Sequence, residues 1–144
     1  MSLEQNKAIC RRVHDDVFEG GRLEVCDEIV APDAQYHGPG FPPGRGPEVM
    51  KQDATIYRTA FRFDRLVRDL ELAEGDLVTH YWTFTGTHVG DLGDIKPTGR
   101  QVTISGVDVF RLKDGRITDF YQQWDQMGMM QQLGVVPSAA PARA

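Results

Sequence analysis

Residues 100–134 read RQVTISGVDVFRLKDGRITDFYQQWDQMGMMQQLG, and this stretch constrains the fold more than any other. Two alternating runs flank Lys113-Asp114-Gly115, which predicts a β-hairpin followed by a short helix. Successive side chains on a strand point to opposite faces. Val102, Ile104, Gly106, Asp108, Phe110 and Leu112 therefore share one face, with a single carboxylate among uncharged neighbours. Burying that acid is costly unless something pairs with it or uses it. In the second run Phe120, Gln122 and Trp124 share a face, and Tyr121, Gln123 and Asp125 share the other. Setting Asp108 beside the first of these sets predicts an aromatic wall carrying one acid and one amide, which suits a small-molecule pocket.

The rest of the chain supplies elements to cover that wall. Residues 2–19 read as a helix capped by Ser2, with Ile9, Val13 and Val17 recurring at a spacing of four. Gly20-Gly21 ends it. A short helix is predicted from Leu23 to about Val30, stopped by Pro32-Asp33, with a short strand from Ala34 to His37. Residues 38–47 form a stiff loop holding four of the eight prolines. It reads either as a surface connection or as a rim with Phe41 pointing inward. Pro47 opens a helix to about Phe61, with Val49, Met50, Ala54, Tyr57 and Phe61 inward. Residues 66–73 form a strand whose inner face the alternation leaves undecided. From Leu77 to Val89 the alternation is clean, and Val78, His80, Trp82, Phe84, Gly86 and His88 face inward. Helices first, antiparallel strands next and one short helix last make an α+β pattern. It predicts a curved, mostly antiparallel sheet wrapped around three N-terminal helices, closed by a short C-terminal helix. Residues 1–137 are read as one domain and 138–144 as a disordered tail.

The chain has 144 residues, enough for one real core. Its net charge of −5, without a basic run, disfavours nucleic acid. No stretch is long and apolar enough for a membrane helix or a secretion signal, so a cytoplasmic protein is expected. Cys10 and Cys26 are read as reduced, packed thiols.

With these elements placed, the chain resembles the SnoaL-like polyketide cyclases of the NTF2-like superfamily. The resemblance runs from about Asn6 to Pro137. It rests on Asn6-Lys7 through Arg12, Gly86-Thr87-His88, Pro97-Thr98-Gly99-Arg100, Gly106-Val107-Asp108-Val109-Phe110-Arg111, Asp114-Gly115-Arg116-Ile117 and the segment 128–134. It implies a cone-shaped α+β barrel, dimeric through its outer sheet face, with no metal or organic cofactor. The implied reaction is an intramolecular aldol closure of a polyketide ring by an aspartate acid/base assisted by a histidine. In register, the family's catalytic aspartate falls on Gln122, the histidine of the aldol cyclases on Asp108, and a second frequent histidine on Phe120. Glutamine does not titrate, so Gln122 is no base, but it donates a hydrogen bond to a carbonyl.

Asp108 and Gln122 are thus the candidate catalytic residues. Asp108 is either a proton shuttle or a structural acid paired with Arg58, Arg62, Arg100 or His80. Asp125 is read as the cap of the last helix. His37 is placed at the pocket mouth. Phe41, Tyr57, His80, Trp82, Phe84, Phe120, Trp124 and Met127 complete the expected substrate contacts. The histidines match no metal-ligand spacing. The function expected is ring closure by confinement and hydrogen bonding, as in a Diels–Alder-type cycloaddition; the alternatives are aldol closure with Asp108 as base and small-molecule binding without turnover. A homodimer is expected through the face bearing Leu77, Val107, Val109 and Tyr121.

Overall fold

A computed structural model describes residues 2–137. The tail expected at 138–144 lies outside the described residues. Helix α1, Leu3–Arg12, starts with a reciprocal cap. The Gln5 N–H donates to Ser2 Oγ at 3.0 Å, and the Ser2 N–H donates to Gln5 Oε1 at 2.8 Å. The helix then widens into a π-helical segment, Val13–Glu19. Arg58 closes that segment by donating to the carbonyls of Phe18 and Glu19. Helix α2 spans Val25–Ile29 and runs directly into strand β1, Val30–His37. Pro32, expected to end the preceding helix, sits instead inside β1, and the helix already ends at Ile29. The pairing of β1 shifts register between Val30 and Gln35, and β1 is an edge strand, so the missing N–H breaks no ladder there.

Helix α3, Pro47–Ala60, has proline in its first turn as predicted. Four strands follow: β2 Phe61–Glu74, β3 Leu77–His88, β4 Gln101–Lys113 and β5 Arg116–Trp124, then helix α4, Gln126–Leu133. The strands form one open, curved sheet in the order β1-β5-β4-β3-β2. The β1–β5 pair is parallel and the others are antiparallel. Asp114 and Gly115 turn the β4–β5 hairpin with φ of 51° and 80°. Two positive φ values in a two-residue turn match the right-handed twist of the flanking strands.

The faces of β3 and β4 follow the alternation, and every residue assigned inward on them is buried. Strand β2 resisted assignment for a physical reason. It carries irregularities between Phe63 and Arg65 and between Arg68 and Leu70. Each bulge resets which side chains point inward. Leu66 faces the interior, while Leu70 and Leu72 lie exposed on the outer face. Cys10 and Cys26 are buried and unbridged. They belong to a core with Val13, Val17, Met50, Phe110 and Phe120, where the helices meet the sheet. A second cluster, with Phe61, Trp82, Phe84, Ile104 and Met129, occupies the other end of the inner face. Among the described residues, no helix is long and apolar enough to cross a membrane.

Candidate active site

A cavity opens between the two clusters. It holds about 610 Å³ of space between the atoms, its mouth included. Trp82 and Phe84 come from β3, Ile104 and Asp108 from β4, and Phe120, Gln122 and Trp124 from β5. The hairpin register sets Asp108 directly opposite Gln122 and Gly106 opposite Trp124. A side chain at Gly106 would collide with the Trp82 ring and with Trp124, so the glycine lets both tryptophans lie across the strand. Tyr57 meets Trp124 edge to face, with ring centres 5.7 Å apart.

Asp108 is fully buried and its carboxylate is satisfied by three partners. Trp82 Nε1 donates to Oδ1 at 3.0 Å, and Gln122 Nε2 donates to the same oxygen at 2.9 Å. Oδ2 lies 2.8 Å from His14 Nε2. None of the partners proposed from the sequence is correct. Arg58 caps the π-helical segment, Arg62 pairs with Asp64, Arg100 reaches the carbonyl of Gln132, and His80 bonds Glu71.

His80 accordingly lies behind the cavity rather than in it. Its Nε2 is 2.8 Å from Glu71 Oε2, and its ring centre is 5.4 Å from that of His14. Burial, with His14 close by, holds His80 down at about 4 despite the Glu71 bond, so it is neutral at pH 7. Burial works to raise the Glu71 carboxyl, but hydrogen bonds from Arg11 and His80 outweigh it and leave Glu71 below its ordinary range.

Three further expectations are corrected. His37 is on the outer face, stacked on Tyr121 at 4.3 Å and 3.0 Å from Asp119, because β1 pairs in parallel with β5 and sets His37 beside Tyr121. Phe41 is neither rim nor lid. It packs 5.2 Å from both Tyr36 and Phe120, behind the cavity wall. Met127 is 61% exposed, and Met129 lines the cavity instead. The reason is helical phase. Asp125 caps α4 by accepting from the Gly128 N–H at 2.8 Å, which turns Met127 outward and Met129 inward. Asp108, Gln122, Tyr57, Trp82, Phe84, Phe120 and Trp124 are brought together as expected.

Sequence reasoning missed two titratable residues of the cavity, His14 and Asp53. Both carry a readable signal, since a polar residue on the apolar stripe of an amphipathic helix is out of pattern. His14 lies four residues after Cys10 and three before Val17; Asp53 lies four after Val49 and three after Met50. Asp53 is 5% exposed and makes no hydrogen bond with any of the described residues. Burial, reinforced by the Asp108 charge, pushes its carboxyl up to about 7. Burial, reinforced by Asp53, likewise raises the Tyr57 phenol to about 12, so Tyr57 stays a neutral hydrogen-bond donor at pH 7. An apolar cavity with one carboxylate held by three partners, one carboxyl without a protein partner among the described residues and a phenol can bind a carbonyl compound and move a proton on it.

Comparison with known proteins agrees with this geometry. Residues 8–133 match the model of the SnoaL-like polyketide cyclase family. The chain is 32% identical over 121 residues to the aklanonic acid methyl ester cyclase DnrD of Streptomyces peucetius, covering 83% of this chain and 79% of that one. It is 31% identical over 121 residues to the nogalonic acid methyl ester cyclase of Streptomyces nogalater, covering 81% and 89%. The structure of TsrD from Streptomyces laurentii superposes with a TM-score of 0.83 at 22% identity, covering 94% of this chain and 99% of that one, a likeness of fold.

Proposed function

The chain belongs to the SnoaL-like polyketide cyclase family, and from that premise we propose that it closes a carbocyclic ring in a polyketide-derived small molecule by proton transfer, in the manner of an intramolecular aldol reaction. The observation that carries the reading is the concentration of titratable and hydrogen-bonding groups, His14, Asp53, Asp108 and Gln122, in a cavity otherwise lined by aromatic and aliphatic side chains. Aromatic walls hold a flat, greasy substrate with its reacting carbons together, which removes much of the entropic barrier. The polar groups supply what confinement alone lacks, a site for the proton and for the developing negative charge.

A second reading, ring closure by a Diels–Alder-type cycloaddition, is favoured by one specific feature. Gln122 stands where the family resemblance places the aldol base, and it cannot titrate. The two readings, and binding without turnover, separate in one assay. Purified protein is given aklanonic acid methyl ester or nogalonic acid methyl ester, and ring closure is followed across pH 5–9. Aldol-type closure is expected to show a rate that rises with pH through a group near 7. A pH-independent rate favours cycloaddition, and binding with no product favours the carrier reading.

The proposal includes a homodimer. Leu70, Leu72, Tyr81, Val107 and Tyr121 are exposed on the outer face of the sheet, and contiguous apolar patches of this kind mark association surfaces. Light scattering is expected to give twice the chain mass of 16.2 kDa. A particle of one chain's mass at micromolar concentration rejects the dimer.

A further inference from the structure

We propose that Asp53, and not Asp108, is the base that takes the substrate proton in this cavity, an assignment that rests on the ring-closure reading above. The two carboxyls differ in what is left for a ligand to do. Asp108 already accepts from Trp82 and Gln122 on one oxygen and meets His14 on the other. Three of its roughly four acceptor sites are occupied, and it acts as a positioning residue, fixing the Trp82 ring, the Gln122 amide and the His14 imidazole against the cavity. Asp53 lines the same cavity from α3, is 5% exposed, and makes no hydrogen bond with any of the described residues. Its carboxyl oxygens open onto the cavity and meet no protein donor among the described residues, which leaves them free to meet a ligand there.

The groups facing Asp53 fit the task. Tyr57 lies one turn along α3, Tyr36 faces it from β1, Asp108 from β4, and His14 across the cavity from the N-terminal helix. Among the described residues, no lysine or arginine lines the cavity to hold Asp53 permanently ionised. The carboxyl therefore exchanges its proton near neutral pH, where a general base is most effective. In the step proposed, the Asp53 carboxylate takes a proton from a carbon flanked by carbonyls. The C–H electron pair becomes an enolate, whose oxygen accepts a hydrogen bond from the Tyr57 phenol. The enolate carbon bonds to a second carbonyl carbon of the same molecule, and the C=O π pair moves onto that oxygen. Asp53 returns the proton to the alkoxide. The reaction is an isomerisation and needs no oxidant or reductant.

The test compares wild type, Asp53→Asn, Asp53→Glu and Asp108→Asn on aklanonic acid methyl ester. Turnover is measured from pH 5 to 9, and binding by the fluorescence of Trp82 and Trp124. Asp53→Asn is expected to lose ~100- to 10,000-fold in kcat while still binding. The rise of rate near pH 7 should vanish in Asp53→Asn, and Asp53→Glu should recover part of the rate. Should Asp53→Asn fail to fold, the wild-type profile still decides, because a flat profile rejects Asp53 as base. Asp53→Asn turning over within about threefold of wild type rejects the assignment while leaving ring closure intact. The same holds if Asp108→Asn abolishes the pH dependence and Asp53→Asn preserves it. A wild type that binds the methyl ester and forms no ring overturns the ring-closure reading, and the assignment falls with it.

Discussion

Asp108→Leu is expected to destabilise the protein by ~3–5 kcal/mol, a large share of the stability of a domain this size. Leucine has the same side-chain branching and is larger, so no cavity is left and the loss comes chiefly from the groups left behind. Trp82 Nε1 and Gln122 Nε2 lose their acceptor, and His14 Nε2 loses its partner at 2.8 Å. Each orphaned donor in so buried a place costs ~1–3 kcal/mol. Asp108→Asn separates the hydrogen bonds from the charge. Its amide oxygen still accepts from Trp82 and Gln122, and only the contact with His14 is disturbed, so it should cost ~1–2 kcal/mol. Urea unfolding measures both, as a fall in midpoint at unchanged slope. A Leu variant as stable as wild type would mean that the network is not held by Asp108.

Asp53→Asn should do the reverse and make the protein more stable in alkaline solution. The Asp53 carboxyl titrates near 7 in the folded state, well above the ordinary aspartate value, because burial and the Asp108 charge disfavour its ionised form. Between about pH 4 and pH 7 the unfolded chain has released this proton while the folded chain retains it. Stability therefore falls as pH rises through that window, and the penalty is fully present above pH 7. With the folded-state value near 7, the penalty is at most ~4 kcal/mol. The asparagine variant escapes the penalty. Its Tm should match wild type near pH 4, rise above it between pH 4 and 7, and keep the full gain at pH 8. Melting curves at those values decide the matter, and a Tm difference that does not change with pH would show that Asp53 is not held near neutrality. A variant that gains stability while losing turnover is the usual signature of a group kept for chemistry at a cost to the fold.

The local rules of strand and turn made much of this protein legible from its sequence. Alternation gave the inner faces of β3 and β4, and the Asp114-Gly115 turn placed the hairpin; a bulge between Arg111 and Leu112 then shifts the pairing by one residue and sets Asp108 opposite Gln122 rather than Tyr121. The caps at Ser2 and Asp125 were equally readable, because each involves residues three apart in the chain. Tertiary structure decided the rest. Asp108 meets His14 across 94 residues, and none of the arginines or the histidine expected to pair with it does so, because docking of a helix on a sheet selects that partner and no periodicity records it. Parallel pairing with β5 put His37 on the outer face beside Tyr121, whereas the sequence places it at the pocket mouth. Two bulges in β2 erased the alternation that would have revealed Leu66. Asp53 was visible only as an acid on an apolar stripe. Its meaning came from the space in front of it, where the sheet leaves the carboxyl facing the cavity with nothing among the described residues to bond. Patterns along the chain report which way a side chain points; what it meets there depends on how the elements pack against one another.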